Sequence, residues 1–188
     1  MKRLSPLVVL VMLLIVAAPV QAHFLWIDVV PTTAGTPLAS ISFSEEPAPG
    51  AAHLLDRIAE TKAWIRTAKR TADLKLAPQT DEEAETGAYV SDINRASSYG
   101  IEATCQYGVF KRGETPALLN YYAKHLHITS ADALDGFARA EKLEVDIVPE
   151  LTDSGLALTV LSGGKGVADV TVHVHGDAGS VEELITDA

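Results

Sequence analysis

An all-β chain of sandwich strands is what this sequence predicts, on three observations. Apolar and β-branched residues alternate with polar ones over most of the chain, turn-forming clusters separate those runs, and helical spacing appears in one short stretch. His23 to Val30 carries aromatic and β-branched residues. Leu38 to Ser44 sets Ala39, Ile41 and Phe43 on one face, and Thr61 to Arg66 sets Ala63 and Ile65 opposite Trp64. Between the last two, Glu45-Glu46-Pro47-Ala48-Pro49-Gly50 is a break, and Ala51 to Glu60 places Leu54, Leu55 and Ile58 at helical spacing, so one short helix is expected. Ala68 to Thr86 is polar and charged, with Asp81-Glu82-Glu83 and Glu85 close to a turn at Gly87. That acidic cluster reads as a solvated loop rather than the alternative of a Ca²⁺ site, since the regularly spaced oxygens of a Ca²⁺ loop are missing. Tyr99 to Phe110 and Ala117 to Ile128 are long β-prone runs joined by the turn-rich Lys111-Arg112-Gly113-Glu114-Thr115-Pro116, which predicts a central hairpin.

Thr129 to Ala140 reads as a linker with room for a helical turn, dividing a module at 23–140 from a second at 141–188. In the second, Leu143, Val145, Ile147 and Pro149 open a strand, Leu156 to Leu161 alternates again, and Ser162-Gly163-Gly164-Lys165-Gly166 makes a turn. Ala168 to His175 and Val181 to Ile185 supply two more strands around Asp177-Ala178-Gly179. About four short strands compare with roughly seven in a closed sandwich, so the second module is expected to be truncated or completed by another segment.

Residues 1–22 have the pattern of a cleavable signal peptide. Lys2 and Arg3 precede an apolar run from Leu7 to Ala18, and Val20-Gln21-Ala22 offers the small residues that a signal peptidase reads. A membrane anchor is the competing reading, but the run is shorter than the roughly 20 apolar residues that span a bilayer and is broken by Pro19 and Gln21. Cleavage after Ala22 gives a periplasmic or secreted protein that touches the membrane only through its leader. Without Lys2 and Arg3, 13 of the 15 basic residues remain against all 25 acidic ones, a net charge of −12. Such a balance suits neither nucleic acid nor anionic lipid. The lone Cys105, in an alternating apolar run, excludes an internal disulfide and reads as a buried structural thiol.

All six histidines come after the leader: His23, His53, His125, His127, His173 and His175. Cleavage would make His23 the first residue, where its α-amino nitrogen and ring Nδ1 together form a two-tooth chelate closed to an internal histidine. The α-amino group has a reference pKa of about 7.7 to 8.0, so a transition metal displaces its proton readily near neutral pH. Each His-x-His pair puts two imidazoles on one strand face, about 6 to 7 Å apart at the backbone, and the rings can converge on one ion at roughly 2.0 to 2.1 Å per bond. Against this, His125 and His127 also fit an ordinary half-exposed strand face with Tyr121 and Ala123. His173 and His175 are expected to point outward opposite Val170, Val172 and Val174, and His53 to lie on the surface of the short helix. The metal ligands expected are therefore His23, His125 and His127, in a nitrogen field that suits Cu(II) or Ni(II). No Ser-His-Asp set, Cys-His pair or phosphate-cradling glycine loop is visible, and no enzymatic activity is expected.

The segments Ala22-His23-Phe24-Leu25-Trp26, Tyr107-Gly108-Val109-Phe110 with Leu118-Leu119-Asn120-Tyr121-Tyr122-Ala123-Lys124, and Leu143-Glu144-Val145-Asp146-Ile147-Val148-Pro149 resemble a family of exported proteins of unknown function. That family carries the label nickel uptake substrate-specific region and is found beside nickel and cobalt transporters. The resemblance covers nearly all of the chain after the leader and implies two immunoglobulin-like β-sandwich modules, the second like the regulatory domains attached to carboxypeptidases. It implies a periplasmic protein that captures nickel, or else cobalt or copper, for a membrane transporter. Two other functions stay open at this level: a metal-free β-sandwich module for envelope contacts, and a copper oxygenase in which His23 and another imidazole form a histidine brace, with Trp26, Tyr121 or Tyr122 near the metal.

Overall fold

The computed structural model describes residues 23–33, 35–94, 97–112, 114–176 and 180–187. The expected leader and the turn Asp177-Ala178-Gly179 lie outside them. The fold is all-β, in several antiparallel sheets, with two short helices among the described residues.

β1 (Phe24–Val30) pairs along its whole length with β2 (Leu38–Ser44), Leu25 opposite Phe43 and Ile27 opposite Ile41. Glu45 to Pro49 then leads to β3 (Gly50–Ala51) and a 3-10 helix (Ala52–Ile58) that buries Leu55 and Ile58. The expected helix is thus present in its tighter form. Next along the chain are β4 (Lys62–Thr67), β5 (Thr71–Asp73), β6 (Ala77–Asp81) and β7 (Thr86–Asp92).

Two of these strands lie in the polar stretch Ala68 to Thr86, which carries no strand signal, while Glu82 to Glu85 of the acidic cluster form the expected loop between β6 and β7. β5 and β6 have little apolar pattern because they bury little, and β6 is exposed along its entire length. They are strands because their backbones pair, β5 with β4 and β6 with β7. Gly87 is likewise inside β7, opposite Thr80 and Gly50, rather than at a turn. The turn is earlier, where Glu85 takes φ 53° and the Asp81 carboxylate accepts hydrogen bonds from the backbone N–H groups of Glu83 and Ala84, both at 3.0 Å. That local capping accounts for Asp81 at the turn.

β8 (Tyr99–Arg112) and β9 (Thr115–His127) form the central hairpin, longer than expected because the strands continue almost to the turn. One sheet has the order β1-β2-β7-β3 with β6 also on β7, and the other β5-β4-β8-β9. Between them lies the core: Leu25, Ile41, Phe43, Leu55, Ile58, Ala63, Ala103 and Cys105, continued by Ala39, Ile93, Tyr99 and Ile101.

After Ser130, α1 (Ala131–Phe137) turns the expected linker into a second short helix. The Ser130 hydroxyl caps it by accepting from the Ala133 N–H at 3.3 Å, and Leu134 and Phe137, three apart, are buried on one side. The outer face of the second sheet receives this segment, with Trp64, Ala140 and Leu143 in a small cluster against Tyr122. The rest of the chain is β10 (Val145–Thr152), β11 (Gly155–Ser162) and β12 (Lys165–Gly166) in one sheet, and β13 (Thr171–His175) with β14 (Val181–Ile185) in another. Positive φ at Gly163 (56°) and Gly164 (75°) makes the expected turn between β11 and β12.

Candidate functional site

β9 runs beside β1 where the two sheets meet, and the candidate histidines are distributed along that seam. At one end, the His23 ring lies 5.4 Å from that of Phe43. Phe43 in turn meets Tyr107 at 5.4 Å and Tyr121 at 5.2 Å, and the two tyrosines meet each other at 5.5 Å, giving a continuous aromatic group. Burial raises the Tyr121 pKa, with Tyr107 and Cys105 adding to the effect.

The other end of the seam holds His125 and His127. Both continue the inward-facing alternation of Tyr121 and Ala123, and both rings lie nearly parallel to that of Tyr99, at 6.3 Å for His125 and 4.9 Å for His127. The half-buried His125 has its pKa lowered, first by burial and further by His127, against the opposing pull of Asp28 and the Ile27 backbone. His127 is exposed.

His23 and the His125/His127 pair are therefore on one seam but apart. From His23 to Ile27 on β1, and from Tyr121 to His125 on β9, is four residues, or about 13 Å at the rise of a strand. Among the described residues no group of three or more His, Cys, Asp or Glu side chains is placed to hold a metal ion together. The structure thus yields two histidine positions, a single residue at the start of β1 and a pair on β9.

The remaining candidates fall elsewhere. His53 is exposed on the 3-10 helix. Val172 is buried and His173 and His175 are exposed, in the outward orientation expected. His175 also meets Trp26 edge-on at 5.6 Å, and His173 Nδ1 is 4.0 Å from a Glu183 carboxylate oxygen. Trp26 donates its indole N–H to the Ser44 carbonyl at 3.1 Å. Of the three aromatic residues considered for a brace, only Tyr121 lies at the His23 end of the seam, since Tyr122 faces the Trp64 cluster.

Sequence reasoning passed over a buried ionic group on the outer face of the second sheet. Glu102, 1 % exposed, accepts from the Arg66 guanidinium at 2.9 Å and from the Trp64 indole N–H. Arg66 also donates to the carbonyls of Gly136, Phe137 and Arg139. Opposite Glu102 on β9, Lys124 reaches the Asp146 carboxylate and the carbonyls of Ala138 and Ile147, and Asp146 takes the Ala140 N–H at 2.7 Å. Burial lowers the Lys124 pKa, although the bond and charge of Asp146 work against it. The sign was in the sequence, in Glu102 and Lys124 interrupting two apolar runs. These groups bind backbone and one another, so their role is to hold α1 and the start of β10 on the sheet.

Comparison with protein-family models, with curated proteins and with solved structures finds no match to this chain.

Proposed function

We propose that this is an exported divalent-metal carrier, binding nickel, with cobalt or copper as alternatives, as cargo for a membrane transporter and performing no chemistry on it. The observation that carries the reading is the pair of imidazoles, His125 and His127, side by side on the Tyr99 face at the β1–β9 seam. Burial favours the neutral form of His125, the form whose lone pair ligates a metal. The Ile27 backbone beside its ring is the kind of partner that fixes one nitrogen of a ligating histidine and leaves the other for the metal. Asp28 adds negative charge near His125 that favours a cation there, and water can complete the coordination. His23 forms a second, separate chelate through its α-amine and ring if the chain is cleaved after Ala22. The resemblance to the nickel-uptake family supports the choice of metal.

The test is calorimetric titration of Ni²⁺ and Cu²⁺ into the chain beginning at His23, the same chain extended by one residue, and a His125→Ala/His127→Ala variant. Two separable binding events are expected, one lost on extension and the other weakened about tenfold or more in the variant. Binding that ignores both changes, or no binding at all, would overturn the proposal.

A further inference from the structure

The sheet of β1, β2, β7, β3 and β6 has a second face, turned away from the core. Ala39, Ile41 and Phe43 of β2 point inward, so Ser40 points to the opposite side. There it faces Val90 of β7 across the ladder, and Ala88 of β7 faces Gln79 of β6. These residues help to line a groove of about 520 Å³ that spans β2, β7 and β6, a size ordinary for a small-ligand site.

Ser40 distinguishes this groove from plain surface relief. It is 9 % exposed, yet its hydroxyl makes no hydrogen bond with any described residue. The other buried serines are all engaged: Ser42 donates to the Ala48 carbonyl, Ser91 to the Asp92 carbonyl, and Ser98 pairs with Thr129. Among the described residues every fully buried side-chain nitrogen and oxygen has a partner, so the unbonded Ser40 oxygen is one that the groove keeps within reach. A hydroxyl so nearly buried costs stability unless it is satisfied from the groove.

Charge and shape select the occupant. Phe24–Ala51 and Ala77–Asp92, the two stretches that build this sheet, hold three and five acidic residues and no lysine, arginine or histidine. The opposing sheet carries Lys62, Arg66, Lys111 and Lys124. Within the groove the one charged lining residue is Asp81, whose Oδ1 is taken by the N–H groups of Glu83 and Ala84, which leaves Oδ2 to a ligand. A cation is therefore favoured. Leu38, Ala88 and Val90 supply an aliphatic lining with no aromatic side chain on which a ring could stack, and the backbone beneath is already paired, so an extended peptide has no ladder to join. We propose that this groove binds a linear aliphatic polyamine. Its methylenes lie on Leu38, Ala88 and Val90, a terminal ammonium meets the Asp81 carboxylate, and an internal N–H is donated to the Ser40 hydroxyl. The site is separate from the histidines and does not rest on metal carriage.

The test is calorimetric titration of spermidine into the whole chain at low salt with no metal added. Saturable one-to-one binding is expected. Ser40→Ala changes no charge and should weaken it about fivefold or more, and Asp81→Asn, whose amide oxygen can still cap the turn, should weaken it by as much. Glu45→Gln/Glu46→Gln removes two charges that do not line the groove and should change the affinity less than about twofold, which separates a built site from diffuse attraction. Circular dichroism matching the unaltered protein shows that a loss is not unfolding. Absence of saturable binding, binding that both groove variants leave unchanged, or a Glu45/Glu46 variant weakened as much as Asp81→Asn would each overturn the proposal.

Discussion

Cys105 illustrates how much the interior governs a single side chain. It is 1 % exposed between the two sheets, and burial pushes its thiol above the ordinary value of 9.0, with Glu60 pushing the same way and a hydrogen bond to Thr61 opposing them. Tyr107, Tyr121 and His23 are also titratable groups at that end of the core. In the unfolded chain the thiol ionises first. Its contribution to stability is therefore complete below about pH 9 and is lost as pH rises toward the native value. Denaturant midpoints measured from pH 8 to pH 10.5 should fall more steeply for the unaltered protein than for Cys105→Val. At neutral pH an aromatic disulfide reagent should leave the native thiol untouched and label it only after denaturant is added.

At the scale of elements, a pair of glycines decides where the 3-10 helix can sit. Gly50 and Gly87 are opposite each other in β3 and β7, and the helix begins directly after β3. A Cβ on Gly87 would come within 2.7 Å of Leu55 Cδ1, and one on Gly50 would collide with the Phe43 carbonyl. Since that carbonyl is backbone of β2, it cannot swing aside. Gly50→Ala should cost about 2 kcal/mol or more as an overpacked core contact, read as a lowered midpoint of thermal unfolding. The strands that bury alternating residues, such as β1, β2, β8 and β9, were legible because burial writes the alternation into the sequence. β6 was not, because five exposed residues including Pro78 carry no such record and only the partner backbone of β7 makes them a strand. The site divides in the same way. That His125 and His127 share a face is a consequence of their spacing, whereas their separation from His23 depends on how β1 lies along β9, which no local pattern encodes.

Across the whole molecule, the Lys124 and Arg66 groups join the first sandwich to α1 and the C-terminal strands. Lys124 has its three donors engaged by Asp146, Ala138 and Ile147, on both sides of residues 139–145, and its side chain is 9 % exposed. Lys124→Met would leave the Asp146 carboxylate buried without its counter-charge, at a cost of about 3 to 5 kcal/mol. Lys124→Met with Asp146→Asn removes that stranded charge and should recover a large part of the loss, so equal destabilisation of the single and double variants in urea would contradict the assignment. Arg66 adds a consequence in time. The carbonyls it binds come 70 to 73 residues later, and it can hold them only once β4 lies on β8 and fixes Glu102. Contacts of such long range close slowly. A chain emerging from its N-terminus therefore finishes its first sandwich before β10 has anywhere to attach, and the later strands assemble on a template already set.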